Sequence, residues 1–247
     1  MRFDPASWAE VHDRREARHL AFRRGLALCL DRCGPRIRPG GLWADVGSGT
    51  GHLTQALAER GARAIGLDLD PGMARYARRR WARPFTTAAA GRLPLEDGSC
   101  SGVVAISLLG CLPEPADLAG FLGEAARVLE PGGTLCLTAT NRHSRLLAIG
   151  KLWSWPVRLR GARYAAYDPA LLADRVRRSG FLLEEQIFYG HFLAAGRLVL
   201  PDAGTILRRE VSSSPGSREP WARNLLLLAR REVEVLHGGY QPCPDED

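Results

Sequence analysis

DVGSGTG, residues 45–51, ends an apolar run that begins at Leu42 and leads straight into a helical pattern from His52 to Arg60, closed by Gly61. A buried strand, a glycine-rich turn and a helix in succession are the opening unit of a parallel α/β sheet. Gly47, Gly49 and Gly51 lack the Cβ that would hold a ligand away from the backbone, and the helix behind them offers unpaired N–H groups and its positive end. Asp68 closes the next strand, GARAIGLDLD (61–70). It stands about 20 residues beyond the glycines, where a carboxylate accepts both hydroxyls of a ribose. Loop and acid together read as the site of an adenosine-containing ligand.

Further strand patterns follow at SGVVAISLL (101–109) and GTLCLTAT (133–140), with helical patterns between them. Met73 to Trp81 is opened by Asp70 and Pro71, and Leu118 to Leu129 is closed by Pro131, Gly132 and Gly133. Near-continuous apolar strands are those buried on both faces, so helices are expected on both sides. At the amino end, Ser7 and Glu10 read as a capping box for a helix to about Cys33, stopped by Gly34 and Pro35. Asp168 and Pro169 open a helix to Ser179 and Gly180, followed by a strand over about Leu182–Phe188. A weaker helix is expected over Leu193–Leu207, a turn-rich loop over VSSSPGSREP (211–220), and a final strand over Leu225–Ala229.

The 247 residues are 45% hydrophobic and 25% charged, an ordinary globular composition that excludes disorder, collagen and coiled coil. No run reaches the ~18 to 20 apolar residues of a spanning helix, and acids stand where a signal peptide needs an apolar core. The expected location is therefore cytoplasmic. The net charge of +7 comes from arginines spread over the whole chain, with Lys151 the single lysine, and reads as composition, not as a nucleic-acid patch. Cysteines 29, 33, 100, 111, 136 and 243 form no CxxC pair and no metal-ligand spacing with histidine. They read as small core residues or incidental thiols, and no metal is expected.

The order G-x-G-x-G, with an acid two places before the first glycine, resembles motif I of the class I S-adenosylmethionine-dependent methyltransferases. The resemblance continues over about 100 residues. GLDLDPGM (66–73) is similar to the family's second acidic motif, RLPLEDGSCSGVVAISLL (92–109) to its LPF-x-D-x-x-FD segment and fourth strand, and RVLEPGGTLCL (127–137) to its entry into strand five. It extends to the small-molecule group that includes ubiquinone and biotin biosynthesis enzymes. What it implies is a Rossmann-like α/β fold: a seven-stranded, mostly parallel sheet, helices on both faces and an antiparallel last strand. It also implies S-adenosyl-L-methionine as cofactor and S-adenosyl-L-homocysteine as product.

By the resemblance, Asp45, Gly47, Ser48, Gly49 and Gly51 form the cofactor loop, and Asp68 holds the ribose hydroxyls. Leu69 packs on adenine; Ala90, Gly91 and Arg92 line its edge; and Ser107 sits by the methionyl end. The chain departs from the family at Ala89, where an acid commonly meets the adenine amino group, and at Cys100 and Ser101, which replace the usual Phe-Asp. Ser107, Gly110 and Cys111 stand where ubiquinone-type O-methyltransferases carry Glu-x-x-Glu-His, so metal-assisted chemistry is not expected. A general base for a hydroxyl acceptor is sought at His143 or His191, each just past a strand at the carboxyl edge of the sheet.

The expected layout is an amino-terminal helical cap (1–36) over the cofactor pocket, a cofactor-binding core (40–140), a substrate lid (141–167), the rest of the sheet (168–230) and a tail (231–247). In the lid, Trp153 and Trp155 among arginines and Lys151 fit either an apolar cover or a peripheral contact with the inner face of an anionic membrane through 143–167. The expected partner is a small acceptor, apolar or aromatic, methylated on oxygen before nitrogen or carbon; nucleic acid is not expected. Three rivals stay open. A non-catalytic cofactor-binding protein is suggested by Ala89. A nicotinamide-dependent oxidoreductase is opposed by the glycine order and by the lack of a Tyr-x-x-x-Lys pair. A nucleic-acid methyltransferase is opposed by SLLG (107–110) and CLPEP (111–115), where an NPPY-type tetrapeptide would stand.

Overall fold

The computed structural model describes residues 9–14, 20–112, 114–144, 165–189, 211–212, 222 and 224–233. Its strands are β1 (Leu42–Val46), β2 (Arg63–Asp68), β3 (Phe85–Thr87), β4 (Cys100–Ala105), β5 (Leu129–Thr140), β6 (Phe181–Tyr189), β7 (Val211–Ser212) and β8 (Asn224–Arg231). Its helices of a turn or more with α geometry are α1 (Leu20–Cys33), α2 (His52–Ala58), α3 (Pro71–Trp81), α4 (Pro115–Val128) and α5 (Pro169–Arg178), and residues 9–14 are also helical.

One sheet holds all eight strands in the order β3-β2-β1-β4-β5-β8-β6-β7. The β1–β2, β2–β3, β1–β4 and β4–β5 pairs are parallel, and β8 runs antiparallel to both β5 and β6. This is the expected mostly parallel sheet with a reversed last strand, extended at its edge by two residues. Val211 and Ser212 pair with Phe188 and Ile187, where the sequence reads as loop. So short a pairing leaves no periodicity to read, and only the proximity of β6 creates it.

The apolar runs behave as two-faced strands. Along β8, Leu225, Leu227 and Ala229 enter one core and Leu226 and Leu228 the other. The first core is closed by Phe121, Leu122 and Ala125 of α4 with Leu172, Ala173 and Val176 of α5; the second by Leu28, Cys29 and Cys33 of α1 with Leu53 and Leu57 of α2. Each fully buried leucine contributes roughly 1.5–3 kcal/mol. At the centre, the Trp43 indole lies so close to β4 that a Cβ on Gly102 would stand 2.3 Å from it.

Several boundaries move from the expected ones. α2 stops at Ala58 instead of Arg60, and α3 starts at Pro71, with the Asp70 carboxylate accepting the Gly72 N–H at 2.6 Å. α4 starts at Pro115, three residues before the expected Leu118, because proline suits a first helical position. Pro131-Gly132-Gly133, expected as a stop, lies within β5, whose pairing with β4 shifts register between Cys100 and Gly102. Ser7, the 193–207 helix and the tail from 234 lie outside the described residues, and β8 runs on to Arg231.

Candidate functional site

The strand order reverses between β1 and β4, and at such a switch point the loops beyond the carboxyl ends of the strands part to leave a crevice. Beyond β2, β1, β4 and β5 respectively stand Asp68, the glycine loop, Ser107 and His143, four neighbouring strand ends bordering one edge.

The loop is folded as its sequence requires. Gly47, Gly49 and Gly51 have φ of 74°, 52° and 85°, in the left-handed region. At Gly51 the demand is doubled, since a Cβ would stand 2.5 Å from the Phe85 ring and 2.9 Å from Trp81. Gly47 and Ser48 donate to the Leu67 carbonyl at 2.7 and 3.0 Å, which draws the loop over the end of β2. Asp45 is buried beneath, its carboxylate accepting the Thr54 hydroxyl at 2.6 Å and tying β1 to α2. α2 has only seven residues, so the loop's own N–H groups matter more than the helix dipole.

Asp68 does more than the sequence suggested. One carboxylate oxygen accepts the Gly49 N–H and the other the Asp70 N–H, both at 2.8 Å, so the acid is locked between the glycine loop and the start of α3. Next to it Leu69 is 72% exposed, an apolar side chain laid open at the pocket rim. Ala88 donates to the Asp68 carbonyl at 2.9 Å, and Arg92 to the Ala89 carbonyl at 3.0 Å, which brings the turn 89–92 alongside. The Arg127 guanidinium fixes the segment after it by reaching the Leu93 and Leu95 carbonyls, Asp97 and Glu124. Hydrogen bonding from Arg127 first, then the Leu93 N–H and nearby positive charge, hold Glu124 below its ordinary value against the opposing effect of burial.

Beyond β4, Ser107 adopts φ of 63°, unusual for a residue with a side chain, and its N–H donates to the Thr138 hydroxyl at 2.9 Å. Partial burial and then the Asp68 carboxylate raise the Cys111 thiol, so the loop after β4 lies within electrostatic reach of Asp68. Tyr167 holds this rim: its hydroxyl meets the Leu109 and Leu112 carbonyls, and its N–H donates to Thr140.

His143 pairs through Nε2 with Asp168 Oδ2 at 2.6 Å, while its N–H donates to Asn141 Oδ1 at 3.0 Å. Asp168 also caps α5 by accepting the Ala170 and Leu171 N–H groups. Burial pushes this carboxyl up, but His143 and the two backbone donors outweigh it and hold it below its ordinary value. His191 lies outside the described residues, as do Lys151, Trp153 and Trp155 of the expected lid. Sequence reasoning missed three things: the Asp68–Gly49 bond, the Asp168 partner of His143, and the latch from Asp13. Asp13 is 7% exposed and joins His52 Nε2 at 2.8 Å to Arg80 at 2.5 Å, placing residues 9–14 over the start of α2. A buried charge must be paired, so the partner of an acid amid an apolar helical pattern is the signal to look for.

The donor set suits a sulfonium nucleoside. An adenine needs an apolar platform, a ribose an acid, and a polar backbone loop must meet the amino-acid end. Leu69, Asp68 and the glycine loop supply these, and the Ser48 hydroxyl is buried with no partner among the described residues.

Residues 44–137 match the family described as a methyltransferase domain. A demethylmenaquinone methyltransferase from Tropheryma whipplei is 37% identical over 130 residues, 51% of this chain and 53% of that protein. The match thus spans about half the length of that relative. A ubiquinone biosynthesis O-methyltransferase from Xanthomonas campestris is 27% identical over 86% of this chain and 82% of its own. Among solved structures, an S-adenosylmethionine-dependent methyltransferase from Thermotoga maritima superposes with TM-score 0.67 at 19% identity, covering 92% of this chain and 97% of that one. Magnesium protoporphyrin IX methyltransferase from Synechocystis, solved with S-adenosylhomocysteine, gives 0.57 at 19% over 84% and 80%. At such identities the likeness is one of fold.

Proposed function

We propose that this chain, whose residues 44–137 match a methyltransferase domain, transfers the methyl group of S-adenosylmethionine to a small apolar or aromatic acceptor, oxygen first. The observation that carries the reading is the Asp68 carboxylate locked by Gly49 and Asp70 N–H groups beside exposed Leu69 and the unpartnered Ser48 hydroxyl. Supporting relatives are named for demethylmenaquinone and for ubiquinone, which puts phenols and quinols first among acceptors.

When bound, the cofactor supplies an electrophilic methyl carbon whose transfer discharges the sulfonium. The chain's own work is alignment and exclusion of water. Asp68 and the loop 47–49 fix one end, and the rim at Ser107 and Tyr167 bounds the other. His143 takes the acceptor proton. With Nε2–H directed at Asp168, Nδ1 is left as the proton acceptor, and Asp168 is a positioning residue. Ala89 leaves the adenine edge to the backbone of Ala90–Arg92.

Calorimetric titration with S-adenosylmethionine, S-adenosylhomocysteine and NAD tests the cofactor. Micromolar binding of the first two and none of NAD is expected; NAD binding, or none at all, overturns the reading. With an acceptor in hand, His143→Gln should lower kcat about 10²–10⁴-fold, the usual contribution of a general base, with KM little changed. Asp168→Asn should displace the pH profile while sparing cofactor affinity.

A further inference from the structure

Beneath the amino-terminal cap, far from any role in methyl transfer, three thiols converge. Cys29 and Cys33 lie one turn apart on the same face of α1, and Cys136 points from β5 into that core between Val104 and Leu228, its neighbours in the sheet. All three are 0% exposed. The sulfurs of Cys29 and Cys33 are 3.9 Å apart, and all three lie within 4.8 Å of one another. Among the described residues this is the single group of three or more His, Cys, Asp or Glu side chains whose ligand atoms converge so closely.

Three cysteines packed only as small apolar residues have no need to point their sulfurs at one centre. Metal coordination does. With zinc–sulfur bonds of about 2.3 Å, three sulfurs around one ion stand about 4.0 Å apart in a trigonal plane and slightly closer in a tetrahedron. The observed 3.9 Å for Cys29 and Cys33 already meets that separation without movement of the helix. The ligand type selects soft cations, since thiolates favour zinc and monovalent copper over oxygen-seeking ions. Three thiolates around a divalent ion carry one net negative charge, and the Arg36 guanidinium acts electrostatically on both Cys33 and Cys136. Glu184, which accepts from Arg36 at 3.0 Å, fixes that positive charge at the end of α1.

We propose that Cys29, Cys33 and Cys136 form a structural site for one soft, thiolate-binding cation that staples the α1 cap to the centre of the sheet. Binding replaces three S–H bonds by three metal–sulfur bonds and releases three protons to solvent, with no change of oxidation state. Complete burial means that the ion enters while the chain folds, so metal and folding are coupled.

The test uses the full chain, unfolded in reductant and refolded with Zn(II), with Cu(I) or with chelator, then freed of loose metal by gel filtration. One equivalent of zinc or of copper retained is expected, the two arms telling which ion the site takes. Once both are opened by mild denaturant, titration with a thiol reagent should show three fewer reactive thiols in the metal-refolded protein than in the chelator-refolded one. At free metal 100 times its Kd, the folded-to-unfolded ratio rises about hundredfold. Cd(II) should give a thiolate charge-transfer band in the wild type, and Cys136→Ala, which keeps the core apolar, should abolish it. If Cys136→Ala fails to fold, Cys29→Ala serves, because either leaves only two sulfurs. Refolded wild type that holds no zinc, copper or cadmium, equal metal in wild type and variant, or a disulfide among the three in the reduced preparation, each overturns the proposal.

Discussion

Asp68 illustrates how one residue can serve the pocket and the fold together. A ribose-binding acid read from spacing alone would leave the free protein unaffected when removed. Here its two oxygens accept the Gly49 and Asp70 N–H groups, so removal also loosens the join between the loop and the start of α3. Asp68→Ala should weaken S-adenosylmethionine binding about ten- to hundredfold, as loss of hydrogen bonds to a charged group costs about 1.5–3 kcal/mol. It should also lower the melting temperature of the ligand-free protein. Asp68→Asn should fall between, since an amide can accept one of the two N–H groups but turns its own NH2 toward the other. Calorimetry and a thermal scan read both; a variant with weakened binding and an unchanged melting point would show that the acid serves the ligand alone. The need for an acid at 68 was legible in the sequence from its distance to the glycines, whereas the bond to Gly49 depends on the parallel pairing of β1 with β2.

At the scale of elements, short-range chemistry was readable and partners were not. Asp70 and Asp168, each followed by proline, cap α3 and α5 as their sequences require. That Asp168 would also meet a histidine 25 residues earlier follows only from the packing of α5 beside the end of β5. The pairing has a measurable sign. Asp168 is held below its ordinary value in the folded state, so its stabilisation is fully present above the unfolded aspartate value, about pH 3.9, and is lost as pH falls through the lower folded value. Asp168→Ala should therefore cost about 1 kcal/mol at pH 7 from the lost cap alone. The gap in urea midpoint between wild type and variant should narrow below about pH 4. A gap independent of pH would remove the charge from the account and leave only packing. Cap and base share this one carboxylate, which is why His143→Gln and Asp168→Asn separate the two roles.

For the molecule as a whole, the arginine excess read as composition is partly built into the architecture. Arg127 joins α4 to the loop 93–97, Arg36 joins the end of α1 to β6 through Glu184, and Arg80 joins α3 to Asp13. The last of these holds residues 9–14 across the start of α2, directly after the cofactor loop. Asp13→Ala should let this segment open, raising amide exchange over 9–14 about tenfold or more, the equivalent of a charged hydrogen bond worth about 1.5 kcal/mol. S-adenosylmethionine should then dissociate faster in stopped-flow chase, with little change at Asp68. Unaltered exchange would show that the segment is held by apolar contacts instead. The sequence by itself determined the alternation of strands and helices, the glycine loop, the acid that ends β2 and the caps at Asp70 and Asp168. Each of these rests on the side-chain period of a strand or helix, or on backbone demands met within a few residues. Only the tertiary structure decided the two-residue edge strand, the partners of Asp68, His143 and Asp13, and the meeting of Cys29, Cys33 and Cys136. The distant members of these contacts join positions 19 to more than 100 residues apart, which become neighbours only when the strand order 3-2-1-4-5-8-6-7 closes and the helices pack on it.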